Sequence, residues 1–302
     1  MQRQCLFAQT ADSAFYAHEL SEVTDGYIEQ VFSRAVNIHL PARQQILTLL
    51  STDCDNAPNS CRLALEHCQN LFKPGERVSF HQSGIEIGTD KRIDFSRCTR
   101  WQPDALYLTQ ERINQTDWQT LAQITWASVE QSESLFYYHG DNIFYQEMSR
   151  LLQLHRVQLI SALRTGNRSA IENEISGLLG LGIGLTPTGD DYLAGLSAIL
   201  FIAGHSAVKY RECFISVLEK EKHKTTLLSA ITLREAIEQR YRETIYRFIE
   251  RVVTGELNHI QQSIREIKKI GSSSGSDMLC GMADAFALTR NNGGNYVDQD
   301  YH

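Results

Sequence analysis

Residues 78–95 read VSFHQSGIEIGTDKRIDF. Val78, Phe80, Ile85, Ile87, Ile93 and Phe95 alternate with polar residues. The Gly84 region and Gly88 to Lys91 separate the apolar runs. Strict alternation broken by turn residues is the signature of consecutive β-hairpins. Working outward, residues 27–32, 36–40 and 45–50 are short apolar runs of the same kind, the second stopped by Pro41. Residues 57–71 read as either a strand or a short helix. The first part of the chain therefore reads as a β-rich, barrel- or sandwich-like domain.

From about Thr116 the period changes to 3.6. Leu121, Ile124, Ala127 and Val129 share a face. Phe144, Met148, Leu151, Leu152, His155, Leu159 and Leu163 form a longer stripe, ended by Gly166 and Asn167. Ser169 and Glu172 have capping-box spacing, which predicts that Ser169 caps the next helix. Helices are predicted over 191–203, 210–220, 226–239, 241–253, 257–270 and 276–289. Four of the five prolines lie in the first 103 residues, and 15 of the 19 glycines follow residue 139. The fold class is α+β. The expected division is a β-rich domain over 1–115 and a helical domain over 116–302.

The chain has 302 residues and a net charge of −7, with 22% charged residues. At about 150 residues per domain it holds roughly two domains and needs no disulfide or metal to stabilise a core. The acidic charge lies in residues 1–150, where 12 Lys and Arg face 19 Asp and Glu; the remainder is balanced at 17 each. An acidic chain with no basic stripe is a poor ligand for nucleic acid or an anionic membrane. The apolar stretch 192–203 is too short to span a bilayer. Seven cysteines without a CxxC pair fit neither a zinc ribbon nor a redox motif. No secretory signal is read at the N-terminus, so a reducing cytoplasm is expected.

Two loops carry the chemistry. Residues 180–195 read GLGIGLTPTGDDYLAG and residues 271–281 read GSSSGSDMLCG. Aligning Gly189 with Gly275 pairs Thr188 with Ser274, Asp191 with Asp277, Leu193 with Leu279, and Gly195 with Gly281. The shared pattern, [ST]-G-x-D-x-L-x-G, predicts two related loops that face each other. Each leads into a helix N-terminus, where the helix dipole favours an anion and glycine lets a ligand approach the backbone. Hydroxyls at Thr186, Thr188, Ser272, Ser273, Ser274 and Ser276 add donors. The predicted anion site comprises Thr186, Thr188, Gly189, Asp190, Asp191, Ser272, Ser273, Ser274, Gly275 and Asp277. Thr226 and Ser229 of the HKTTLLSA stretch (223–230) join it, with Arg234 one turn on. The same spacing also fits capping boxes, with Asp191 and Asp277 holding the loops and Asp190 free to meet substrate or a divalent cation. No other metal ligand set is read. A Walker loop lacks its lysine, and Pro187 stands where a dinucleotide fingerprint needs its third glycine. There is neither a GxSxG elbow nor an HExxH pair. His155 reads as a hydrogen-bonded core residue.

In these residues the chain resembles the AllH family. The resemblance rests on GLGIGLTPTGDDYLAG, GSSSGSD, Thr225, Thr226 and Ser229, and more loosely on Asn37, Gly84, Arg100 and Trp101. It implies a subunit of oxamate carbamoyltransferase, a cytoplasmic transferase of allantoin and purine nitrogen degradation that works with FdrA-like and AllG-like subunits. The implied reaction splits oxalurate with phosphate into oxamate and carbamoyl phosphate. The chain departs from the family pattern at Gln239 and Arg240, where a glycine follows the middle-helix motif in relatives. Function thus stands between an enzyme component taking a small anionic substrate or phosphate and a non-catalytic scaffold or anion-binding accessory subunit.

Overall fold

A computed structural model of the protein describes residues 4–13, 15, 25–81, 84–129 and 134–289. The chain forms two compact units. The first comprises Met1–Ala105 with two late segments, Ala230–Glu235 and Arg240–Tyr246. The second comprises Leu106–Ser229, Ala236–Gln239 and Arg247–His302.

The first unit is a β-barrel. Its strands are β1 (Gln4–Asp12), β2 (Asp25–Val31), β3 (Ala35–Leu40), β4 (Gln45–Leu50), β5 (Ser60–Leu63), β6 (Arg77–His81), β7 (Gly84–Ile87), β8 (Lys91–Asp94) and β9 (Thr99–Trp101). They order β5-β4-β3-β2-β6-β7-β8-β1, and β1 pairs with β5 to close the ring. The short β9 continues alongside β1 beyond β8, pairing Thr10 with Thr99. Alternation places Ile28, Ile38, Leu47, Leu49, Val78, Ile85, Ile87 and Ile93 in one core. The hairpins expected over 78–95 form the β6–β7–β8 meander, with Val78 opposite Ile87 and Ile85 opposite Ile93. Gly84 has φ 141°, and a Cβ there would overlap the carbonyl oxygen of Ile93, so the close approach of β7 to β8 requires glycine. Residues 57–71 resolve to the strand β5 rather than a helix. Asn37 is buried between Thr48, which donates to it at 3.0 Å, and Gln30, to which it donates at 2.9 Å.

The late segments tie into this unit by charge. Arg240 bonds Asp12 at 2.8 Å and Glu235 at 2.6 Å, and Asn59 donates to Glu235 at 2.8 Å. Arg242 and Thr244 both hold Asp55. Burial pushes the Asp55 carboxyl up, but the Arg242 guanidinium and Thr244 outweigh it and hold it below its ordinary value.

Beyond the barrel the chain is helical: α1 (Gln110–Gln115), α2 (Trp118–Val129), α3 (Ile143–Thr165), α4 (Arg168–Leu178), α5 (Thr188–Leu200), α6 (Arg211–Glu221), α7 (Leu227–Ile237), α8 (Glu243–Thr254), α9 (Ile260–Lys268) and α10 (Ser274–Leu288). Helix α3 starts at Asn142, whose side chain accepts from Phe144 and Tyr145, and ends at Gly166 with φ 73°. Its buried stripe runs Met148, Leu152, Leu159, Ala162 and Leu163, while Phe144, expected on that stripe, is 63% exposed. The cap of α4 is Asn167, which accepts from Ala170, and not Ser169, which lies inside the helix. Asparagine one residue past the helix-ending glycine is already in extended backbone, the conformation a cap needs.

The centre of the second unit is the pair α5 and α10. Every residue of α5 is buried, as are twelve consecutive residues of α10 from Gly275 to Phe286. Both helices are covered on every face, so their apolar residues fill the core and their few polar residues must find partners inside it.

Candidate functional site

The two loops are two copies of one helix–loop–helix arrangement. A Cβ on Gly189 would overlap the carbonyl of Leu178, at the end of α4; a Cβ on Gly275 would overlap that of Ile267, at the end of α9. Gly189 N–H donates to Leu181 at 2.8 Å, and Gly275 N–H donates to Ile270 at 3.0 Å. The last glycines of the pattern meet at the helix crossing. Gly195 lies against the Met278 backbone, and Gly281 lies against the Tyr192 and Leu196 backbones. Glycine at both places lets α5 and α10 approach backbone to backbone.

The loops converge at this end of the helix pair. Thr186 Oγ1 and Ser274 Oγ are 3.0 Å apart and share a hydrogen bond. Beneath them lie two carboxyls. Asp191 is 2% exposed and Asp277 is fully buried. Ser134 donates to Asp277 Oδ1 at 2.5 Å. The partners cross between loops: Ser274 and Thr186 act on Asp191, and Ser134, Ser273 and Thr188 act on Asp277. The other oxygen of each carboxyl, Asp191 Oδ2 and Asp277 Oδ2, is buried without a hydrogen-bond partner.

Desolvation pushes the Asp191 carboxyl well above the ordinary carboxylate range, and the neighbouring Asp277 charge pushes it further. Desolvation likewise raises Asp277, to about 6, against the hydroxyls of Ser134, Ser273 and Thr188. Two buried carboxyls that repel each other favour states holding at least one proton between them.

The capping expectation is not how these aspartates act. The residue before α5 is Pro187, and neither α5 nor α10 has a side-chain cap bond. Gly189, Asp190 and Asp277 satisfy their N–H groups on Leu181, Pro187 and Ser273 carbonyls, so the carboxylates are not needed as caps.

Asp190 is the committed carboxylate. It accepts from Gly180 N–H at 2.7 Å, from Ser229 Oγ at 2.6 Å, and from Thr225 Oγ1. Thr226 Oγ1 donates to the Leu185 carbonyl at 2.6 Å and accepts from Ser229 N–H at 3.0 Å. The HKTTLLSA stretch is thus bolted to the first loop through Asp190 and Thr226. Burial raises the Asp190 pKa, opposed by the Ser229 and Thr225 hydroxyls. With three donors on its two oxygens, Asp190 has little capacity left for a cation. Among the described residues, no group of three His, Cys, Asp or Glu side chains is placed to hold a metal.

The remaining predicted residues divide by exposure. Thr188 is buried, Thr186, Ser273 and Ser274 are half-buried, and Ser272 is exposed. Ser134 was not foreseen, because nothing in its local sequence marks it; only the tertiary fold brings it to Asp277. His155 bonds Glu174 at 2.8 Å from a half-buried position.

A second buried polar network lies deeper between the same helices. Arg156 forms a bidentate pair with Asp284 at 2.7 and 2.9 Å, and Tyr192 donates to Asp284 at 2.8 Å. A cavity elsewhere in the second unit is lined by Leu200, His205, Leu288 and Thr289, from the opposite ends of α5 and α10 to the loops.

Comparison with known families gives two matches. Residues 178–286 match the family described as oxamate carbamoyltransferase subunit AllH, and residues 7–100 match the AllH family N-terminal domain. The first match spans both loops and the HKTTLLSA stretch, and the second spans the barrel. No solved structure matches the chain. No described helix is long and apolar enough to cross a membrane.

Proposed function

The chain belongs to the AllH family, and on that premise we propose that it supplies a substrate-binding centre of oxamate carbamoyltransferase at the junction of its two glycine–hydroxyl loops. The single observation that carries this reading is the meeting of Thr186 and Ser274 above two buried carboxyls. In the reaction, phosphate oxygen attacks the carbamoyl carbon of oxalurate. The bond from that carbon to the oxamate nitrogen breaks, and the nitrogen takes a proton. Such a substrate presents both oxyanions and amide N–H groups. The hydroxyls of Thr186, Thr188, Ser272, Ser273 and Ser274 suit the oxyanions, as do the positive ends of α5 and α10. Charge-assisted hydrogen bonds of this kind contribute about 1.5–3 kcal/mol each. The centre works with FdrA-like and AllG-like subunits, in the cytoplasm, in allantoin degradation.

The test is reconstitution. Phosphate-dependent oxalurate cleavage is measured with the FdrA-like and AllG-like subunits, with and without this chain, and then with Ser274→Ala and Thr186→Val. Activity is expected to vanish without the chain and to fall at least tenfold with either variant. Undiminished activity on omission overturns the proposal.

One observation favours a second reading. The helix N–H groups of Gly189, Asp190 and Gly275 already have carbonyl partners. On that reading the loops only join helices, and the chain is a non-catalytic scaffold of the enzyme. Activity that needs the chain but ignores both hydroxyl variants selects it.

A further inference from the structure

We infer that Asp191 Oδ2 and Asp277 Oδ2 are the amide-recognition half of the loop site: they accept N–H groups of a carbamoyl or primary amide ligand, so the site selects an amide-bearing oxyanion over the matching oxyanion without N–H. This rests on the carbamoyl-transfer reading and deepens it.

Both Oδ2 atoms are buried and unpartnered, and a buried carboxyl oxygen left without a donor is costly. The surrounding hydroxyls leave them uncovered. Each hydroxyl has one proton. Thr186 and Ser274 spend one of their two on each other, which leaves one for Asp191. The proton of Ser134 goes to Asp277 Oδ1, and Ser273 and Thr188 act on the same carboxyl while its Oδ2 stays without a partner. The backbone is no better placed. Gly189 N–H goes to Leu181, Asp190 and Asp191 N–H to Pro187, Gly275 N–H to Ile270, and Asp277 N–H to Ser273. Among the described residues, therefore, no hydroxyl or backbone N–H serves either oxygen, and both keep acceptor capacity for a ligand N–H.

A ligand carboxylate has no proton to donate to these oxygens. A ligand N–H has one. A primary amide carries two such protons on one nitrogen, which matches two acceptor oxygens, one from each copy of the repeat. Symmetry in the fold places one aspartate per loop, so each loop contributes an acceptor below and hydroxyl donors above. The half-buried hydroxyls of Thr186, Ser273 and Ser274 stand nearer to solvent than the carboxyls. An oxamate-like molecule, with an amide at one end and a carboxylate at the other, matches that polarity along its length.

The experiment compares oxamate with oxalate on the full-length chain by calorimetry at pH 7.5. The two probes share size and a carboxylate, and differ in the amide N–H groups. Oxamate is expected to bind at least tenfold more tightly. Asp191→Asn and Asp277→Asn keep side-chain volume and put an N–H₂ where an acceptor stood, so the preference should disappear while the thermal midpoint stays level or rises. Equal affinity of wild-type chain for oxamate and oxalate overturns the inference and leaves the carbamoyl-transfer reading standing, and needs no variant. A thermal shift produced by Mg²⁺ or Mn²⁺ alone, and absent from Asp277→Asn, overturns it in favour of a cation site. If neither probe binds, the inference fails. Omission of the chain from the reconstituted complex then decides the parent reading: unchanged carbamoyl transfer removes that as well, and lost transfer retains it.

Discussion

Gly195 and Gly281 occupy matching places at the crossing of α5 and α10, each pressed against the backbone of the opposite helix. A methyl group on Gly195 would overlap the Met278 carbonyl, and one on Gly281 would overlap the Tyr192 carbonyl. Backbone cannot swing away as a flexible side chain can. Gly195→Ala and Gly281→Ala should each destabilise the protein by about 3 kcal/mol or more, at the upper end of overpacking costs. Gly184, with open space around it and φ 93°, is the control. Gly184→Ala should cost only about 1–2 kcal/mol, the strain of a left-handed alanine. Urea unfolding of the three variants checks the ranking, and a loss at Gly184 equal to that at Gly195 would contradict the close helix crossing.

Asp277 makes stability depend on pH in an unusual direction for a carboxylate. Its folded pKa, about 6, lies above the ordinary value of 3.8. A raised carboxyl pKa means that the folded protein holds the proton more tightly than the unfolded chain. The stability from that proton is complete below pH 3.8 and is lost as pH rises through 6. The span is worth about 3 kcal/mol. Asp277→Asn has no charge to desolvate, so it should gain on wild type at pH 7.5, and the advantage should shrink towards pH 4. Denaturation midpoints of both proteins at the two pH values measure this. A variant equally weakened at both would show that Asp277 is not held protonated.

His205 works in the opposite direction over nearly the same window. It is buried, and desolvation lowers its pKa from 6.5 to about 4. Its two ring nitrogens are engaged as in a neutral imidazole, one accepting from Ala207 N–H at 3.0 Å and the other meeting Thr289 Oγ1 at 3.0 Å. A lowered histidine pKa means that the unfolded chain binds the proton better. Stability is intact above pH 6.5 and falls as pH drops towards 4, by about 3 kcal/mol. His205→Gln should flatten that acid limb while losing some stability at pH 7. Because Asp277 and His205 act with opposite signs, each must be read from its own variant against wild type. An unchanged acid slope in His205→Gln would refute the neutral buried imidazole.

The barrel and the helical half were legible because period 2 and period 3.6 are written directly in residues 78–95 and 144–163. Closure of the barrel was not, since the pairing of β1 with β5 joins segments about fifty residues apart and leaves no local mark. The convergence of the loops could be read from the repeat [ST]-G-x-D-x-L-x-G. The roles within it could not. Spacing alone suits an aspartate either to a cap or to the core; burial decides, and it made Asp190 the bolt and Asp191 and Asp277 the under-satisfied pair. The Gln239 departure has a backbone explanation. Gln239 follows the end of α7 with φ 65°, where glycine is the unstrained choice, and its side chain donates to the Ser197 carbonyl at 3.1 Å, an anchor that glycine lacks. Ser134 and the pair Arg156–Asp284 lie far apart in sequence from their partners and had no periodic signal.

That Arg156–Asp284 pair sets the last prediction. Asp284 is 4% exposed and accepts both arms of the guanidinium as well as the Tyr192 hydroxyl. Trp126 covers the guanidinium at 4.0 Å. Burial alone would lower the Arg156 pKa, but the Asp284 carboxylate holds it above its ordinary value. Removing one member strands a buried charge, which costs about 3–5 kcal/mol. Arg156→Met should therefore be severely destabilised. Arg156→Lys should be destabilised too, because one ammonium cannot make the two parallel bonds or lie flat on Trp126. The double variant Arg156→Met with Asp284→Leu removes both charges and should recover much of the loss, since a desolvated ion pair is often worth little more than apolar packing of equal volume. Thermal unfolding of the two singles and the double closes the cycle. Additive losses, with no recovery in the double, would mean that the pair is not energetically coupled and that each residue stabilises the helices separately.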